Sequence, residues 1–143
     1  MITITPYLNF EGNCEKAFNH YKKVLGGEIV GTQKYKDMPS EEPLPDSIKE
    51  MIMHTTLAVT KDLLIMGSDA CEGFGPPLQK GNNYSLTISV DSKSEADRIF
   101  NGLSEGGEVI MPMNKTFWGA YFGMFFDKFG IQWMVSFDEE QNK

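Results

Sequence analysis

Apolar and polar residues alternate at period two in Thr5-Pro6-Tyr7-Leu8-Asn9-Phe10-Glu11 and again in Ser85-Leu86-Thr87-Ile88-Ser89-Val90-Asp91. That is how a strand buried on one face reads. Each segment leads into a stretch with apolar residues at helical spacing. Cys14, Ala17, Phe18, Tyr21 and Leu25 form one stripe, with Asn13 placed as N-cap and Gly26 as stop. Ala96, Ile99, Phe100 and Leu103 form the other, opened by the capping-box pair Ser92 and Glu95 and closed by Gly106. Both helices run into nearly the same strand opening, Gly26-Gly27-Glu28-Ile29-Val30 and Gly106-Gly107-Glu108-Val109-Ile110. The pattern thus recurs at an offset of about 80 residues, which marks an internal repeat. Each half closes in a predicted hairpin. In the first, residues 53–59 turn at Lys61-Asp62 into 63–68; in the second, 121–126 turn at Asp127-Lys128-Phe129-Gly130 into 131–137. The order is β-α-β-β-β, twice, with module one about 1–75 and module two about 82–138.

Two joints differ from the rest of the chain. Residues 69–82 carry Pro76-Pro77 and three glycines and read as the hinge between modules. Residues 36–51 lie inside module one and carry Asp37, Glu41, Glu42, Asp46 and Glu50 with three prolines. A connection of about 15 residues is long, and two readings stay open for it: a mobile flap over a site, or a surface loop.

Length, charge and cysteines narrow the class. The 143 residues suffice for a single domain, 1–143, and 41% hydrophobic with 23% charged residues is an ordinary globular mix. The formal net charge of −7 and the lack of a basic cluster argue against a nucleic-acid partner. No secretory leader and no membrane-length apolar run is present, so a cytoplasmic protein is expected. Cys14 and Cys71 form no CxxC pair and are expected as reduced thiols.

Tandem β-α-β-β-β modules ending in an Asp-x-Phe-Gly hairpin resemble the vicinal oxygen chelate superfamily of glyoxalases, bleomycin-resistance proteins and dioxygenases. Over residues 3–138 the chain is most similar to its PhnB-like group. The residues that carry this are Pro6-Tyr7-Leu8-x-Phe10 with Gly12, Gly26-Gly27, His54, Leu64-x-Met66-x-Ser68-Asp69, Phe117-Trp118-Gly119 and Asp127-x-Phe129-Gly130-x-x-Trp133. The resemblance implies an α+β fold in which tandem βαβββ modules form a curled mixed sheet with a cleft, helices on the outer face. It also implies a homodimer.

Strand alternation then sorts the side chains. Leu8 and Phe10, and Leu86, Ile88 and Val90, pack under the helices; Thr5, Tyr7 and Asn9, and Ser85, Thr87 and Ser89, face the other way. Gln132, Met134 and Ser136 share one side of the last strand, as Leu64, Met66 and Ser68 do in module one. Catalytic relatives hold a divalent metal with His, Gln or Glu on these strands. The aligned positions here are Thr5, Met66, Ser85 and Met134, none of which suits Ni²⁺, Zn²⁺, Fe²⁺ or Mn²⁺. No catalytic metal and no cofactor are expected. His20 falls on the polar side of the first helix. His54 is the weak catalytic candidate: either a histidine hydrogen-bonded at the cleft wall beside Thr56, or a base or lone ligand helped by Asp69.

Residues 116–126 are rich in aromatics and free of charge, which suits core, a dimer interface or a stacking wall for a flat ligand. Met111, Met113, Met124 and Met134 suit an adaptable pocket or plain gap-filling. Cys14 at a helix start is weighed as a reactive thiol and set aside for want of a neighbouring base. Members of the group are sometimes labelled demethylubiquinone methyltransferases; no GxGxxG-like loop follows a strand, which discounts methyl transfer. Two functions remain: a metal-independent protein binding a small organic ligand through Tyr7, Asn9, His54, Met66, Ser68, Ser85, Trp118 and Met134, or a metal-dependent glyoxalase-type lyase or dioxygenase.

Overall fold

The computed structural model describes residues 1–39, 42–71, 73 and 75–138. Glu41 of the acidic segment lies outside them. In chain order the elements are β1 (Tyr7–Phe10), α1 (Cys14–Leu25), β2 (Glu28–Lys34), a 3-10 turn (Tyr35–Asp37), α2 (Asp46–Lys49), β3 (Ile52–Thr60), β4 (Leu63–Asp69), β5 (Leu86–Val90), α3 (Lys93–Ser104), β6 (Glu108–Lys115), β7 (Ala120–Phe126) and β8 (Gln132–Asp138). The chain divides into two compact units, Met1–Gln79 and Lys80–Lys143. Each contains a four-stranded mixed sheet, ordered β1-β4-β3-β2 in the first and β5-β8-β7-β6 in the second. The α+β class and the doubled β-α-β-β-β order are as the sequence predicts.

In the first unit Leu8 and Phe10 point under α1 and are 3% and 2% exposed, whereas Tyr7 and Asn9 are exposed on the opposite face. The underside of α1 is Cys14, Ala17, Phe18, Tyr21 and Val24. Val24 is buried at the end of the stripe, whereas Leu25, which the spacing places there, is only half-buried. Phe18 meets Phe10 edge-on at 6.1 Å. Burial of each such side chain contributes about 1.5–3 kcal/mol. Gly67 of β4 makes the approach possible: a Cβ there would lie 2.7 Å from the Phe18 ring.

The second unit repeats the design with other residues. Ala96, Ile99, Phe100 and Leu103 form the buried side of α3, as predicted, against Phe125, Trp133 and Val135 of the sheet. Phe100 packs edge-on to Phe125 at 5.1 Å. The predicted capping box is half made. Glu95 N–H donates to Ser92 Oγ at 3.1 Å, but the Glu95 carboxylate pairs with Arg98 at 2.7 and 2.9 Å instead of turning back. Asn13 likewise occupies the N-cap position of α1 without a capping bond from its side chain.

Candidate functional site

Register places the chemistry of the first unit on the sheet face away from α1. Parallel pairing sets Tyr7 against Met66 and Asn9 against Ser68, and antiparallel pairing sets Met66 against Thr56. Directly paired residues share a face, and His54 is two residues from Thr56 on β3, so all six side chains lie together. The His54 ring is held on both sides. Its Nδ1 lies 3.4 Å from the Tyr7 hydroxyl and its Nε2 3.2 Å from Thr56 Oγ1, with the Tyr7 and His54 ring centroids 5.7 Å apart. In the neutral ring, Tyr7 O–H donating to Nδ1 and Nε2–H donating to Thr56 satisfies both contacts. Ser68 Oγ donates to Asn9 Oδ1 at 3.4 Å. The result is a half-exposed polar surface of hydroxyl, imidazole and amide groups, with Met66 among them.

The second unit carries a different surface at the same place in its sheet. Thr87 pairs with Met134, Met134 with Met124, and Phe122 with Ser136. Trp118 lies in the loop between β6 and β7, with ring centroids 5.0 Å from Phe117 and 6.3 Å from Phe122. The loop is pinned, since Thr116 N–H and Oγ1–H both donate to the Ala120 carbonyl at 2.8 Å. Phe117 and Trp118 are nevertheless 98% and 57% exposed. Ser85 immediately precedes β5. Of the candidate residues, Tyr7, Asn9, His54, Met66 and Ser68 therefore share one surface, while Ser85, Trp118 and Met134 belong to the other unit.

Gln132 was not among the residues expected at the site. Its Nε2–H donates to Met124 Sδ at 3.1 Å, while its Oε1 is buried and accepts no hydrogen bond among the described residues. Leaving a buried acceptor unsatisfied costs about 1–3 kcal/mol. Strand alternation had put Gln132 on this face, but no sequence signal shows that a carbonyl oxygen is left open.

Asp69 does not assist His54. It is 2% exposed, and its carboxylate accepts from Gly12 N–H (2.8 Å), Cys14 N–H (3.0 Å) and Ile52 N–H (2.9 Å). Tyr35 O–H donates to its carbonyl at 2.9 Å. The group caps α1 from β4, taking the role expected of Asn13, and lies with Phe10 on the α1 face of the sheet, opposite the face that carries His54. Asp127 is likewise buried and structural, but within its own hairpin, accepting from Phe129 N–H, Ile131 N–H and Trp133 Nε1–H at 2.8, 3.0 and 2.8 Å. Cys14 is fully buried, and burial together with the nearby Asp69 charge pushes its thiol far above the ordinary range, so it is not a nucleophile.

The acidic segment begins within the 3-10 turn and contains α2. Its base is latched by Glu50, which accepts from Lys34 Nζ at 3.0 Å and Lys36 Nζ at 2.9 Å. Those two ammonium groups hold the Glu50 carboxyl down at about 2. Among the described residues no cluster of three His, Cys, Asp or Glu side chains could hold a metal ion. The hydroxyls and thioethers at Thr5, Met66, Ser85 and Met134 do not fit the divalent metal of catalytic superfamily members.

The family model described as 3-demethylubiquinone-9 3-methyltransferase matches residues 2–136. Protein YjdN of Escherichia coli K12 is 30% identical over 142 residues, 96% of this chain and 97% of its own. The crystal structure of PA1353 from Pseudomonas aeruginosa superposes with a TM-score of 0.84 at 43% identity, covering 96% of this chain and 98% of that one. A Bacillus cereus PhnB protein, described as a putative 3-demethylubiquinone-9 3-methyltransferase, has the same fold, with TM-score 0.76, 24% identity and coverage of 95% and 99%. A glyoxylase/bleomycin resistance protein/dioxygenase domain from Frankia shares it too, with TM-score 0.66, 12% identity and coverage of 97% and 98%.

Proposed function

Because the chain belongs to the 3-demethylubiquinone-9 3-methyltransferase, or PhnB-like, family, which has the glyoxalase/bleomycin-resistance fold, we propose that it binds a small organic molecule without a catalytic metal. The observation that carries this is the unsatisfied carbonyl oxygen of Gln132, buried beside Met124 and on the strand position opposite Phe126. Ligand sites are mostly apolar with a few polar anchors. A planar ligand bearing an N–H or O–H donor meets both demands: it packs on Phe126 and Met124 and, as the Gln132 side chain turns outward, satisfies Oε1. In the first unit the polar surface around His54 is a separate candidate surface with groups of both polarities, and the net charge of −7 disfavours anionic ligands. The same proposal includes a homodimer.

Indole and N-methylindole are a matched pair of probes differing in the donor. Titrated into ¹⁵N-labelled protein, indole is expected to shift the Gln132 side-chain amide and the Phe126 backbone amide signals. N-methylindole is expected to bind about tenfold more weakly for want of one hydrogen bond to a buried acceptor. Equal binding, or shifts elsewhere only, would discard the proposed anchor. Two further additions separate other functions. Saturable shifts from S-adenosylmethionine would replace this reading with methyl transfer. Thermal stabilisation by Ni²⁺, Zn²⁺, Fe²⁺ or Mn²⁺ and by no organic probe would replace it with a metal-dependent lyase or dioxygenase.

A further inference from the structure

We propose that Met111, Met124 and Met134 form a thioether site for monovalent copper on the helix-free face of the second unit. Met134 of β8 stands directly opposite Met124 of β7, and Met124 directly opposite Met111 of β6. Opposed residues carry their side chains on one face with Cβ atoms about 5 Å apart. Three unbranched side chains with freely turning bonds can therefore gather their sulfurs over the middle strand.

This alignment depends on an irregularity. Val109 is opposite Phe125, so an unbroken antiparallel ladder would next set Ile110 against Met124. The register shifts between Val109 and Met111, bringing Met111 there instead, and shifts again before Asn114. Bulges re-aim side chains; this one exchanges an aliphatic group for a thioether at the one position that extends the methionine row. Gap-filling beneath α3 is done by other groups, including Met113, whose Sδ would be 2.6 Å from a Cβ at Gly123. The three methionines in the row all keep solvent access, Met111 at 44% exposure and the other two half-buried.

Ligand softness selects the ion. Neutral thioethers favour Cu(I) and discriminate against Zn²⁺, Ni²⁺ and Mn²⁺, for which the family's usual positions also lack donors here. Each sulfur donates a lone pair; no bond breaks and no electron is transferred. The Gln132 amide N–H occupies one lone pair of Met124 Sδ and leaves the other. Thioethers carry no proton to displace near neutrality, so the affinity will not change with pH as it does for thiol or imidazole sites.

Silver(I) is the redox-inert probe. The full chain is labelled at methionine methyl carbons and carries Cys71→Ser, because Cys71 is a partly accessible competing thiol whereas Cys14 is fully buried. One equivalent of silver is expected to shift the methyls of Met111, Met124 and Met134 and to leave that of Met66 in place, equally at about pH 6 and pH 8. Competition with bicinchoninate for Cu(I) is expected to weaken at least about tenfold in Met124→Leu. Met111→Leu, on the exposed edge strand, gives the same readout if Met124→Leu fails to fold. Silver shifts spread over all methionines, absent, or preserved in both leucine variants overturn the site. The silver titration contains no organic ligand and bicinchoninate only competes for the ion, so failure of the test leaves the proposed ligand-binding function standing.

Discussion

Asp69 holds three backbone N–H groups on its carboxylate and a tyrosine hydroxyl on its carbonyl. It ties the end of β4 to the start of α1, the start of β3 and the turn at Tyr35. Asp69→Asn keeps the shape but turns an N–H₂ toward at least one of those donors. Loss of charge-assisted bonds and a buried donor clash are expected to cost about 3 kcal/mol. Urea unfolding with an unchanged denaturant slope measures this, and a loss below about 1 kcal/mol would mean that the ties are not cooperative. The motif Ser68-Asp69 was visible in the sequence, but its role was not. Whether an aspartate serves a histidine or a helix end depends on which N–H groups converge on it, and residues 12, 14 and 52 are brought there only by folding. His54 was placed correctly beside Thr56, since that relation is local to one strand; its contact with Tyr7 crosses 47 positions.

Helices and hairpins follow from periodicity because each is decided by neighbours three, four or two residues away. The α3 stripe of Ala96, Ile99, Phe100 and Leu103 is an example. The ties between elements are not decided that way. Tyr121 of β7 donates its hydroxyl to Asp97 of α3 at 2.5 Å, and Lys93 lies 5.0 Å over its ring. Its bond to the Asp97 carboxylate, reinforced by burial and that negative charge, raises the phenol from 10.0 to about 12. A raised folded-state value for an acid means that the neutral form is the stabilised one. The contribution is fully present below the unfolded value near 10 and is lost as pH rises through about 12. The stability difference between wild type and Tyr121→Phe is therefore expected to be constant below about pH 10 and to shrink from there to about pH 12. A difference that does not change over that window would show that the bond does not couple to ionisation. The bulge that sets Met111 against Met124 belongs to this scale too, and no alternation pattern shows it.

Across the whole chain, the repeat in the sequence and the matching strand orders of the two sheets are one fact seen twice. Divergence between the copies lies in what the shared scaffold carries: His54 stands in β3 where Phe122 stands in β7, and the acidic segment has no counterpart between β6 and β7. Large apolar side chains remain uncovered in the second unit, with Phe117 98%, Trp118 57%, Val109 47% and Ile110 43% exposed. Exposure of this kind marks an interaction surface, and it supports the proposed homodimer. Light scattering at micromolar concentration is expected to return about twice the 16.1 kDa chain mass; a value near 16.1 kDa would refute it. Local spacing in 143 residues was enough to specify the main strands and helices and their doubling, because those rest on short-range periodicity and turn chemistry, while the family showed in the resemblance of the motifs. Folding alone assigned the buried carboxylates to structure, left Gln132 Oε1 open and aligned three methionines, because each depends on groups far apart in the chain meeting at hydrogen-bond or cross-strand distance.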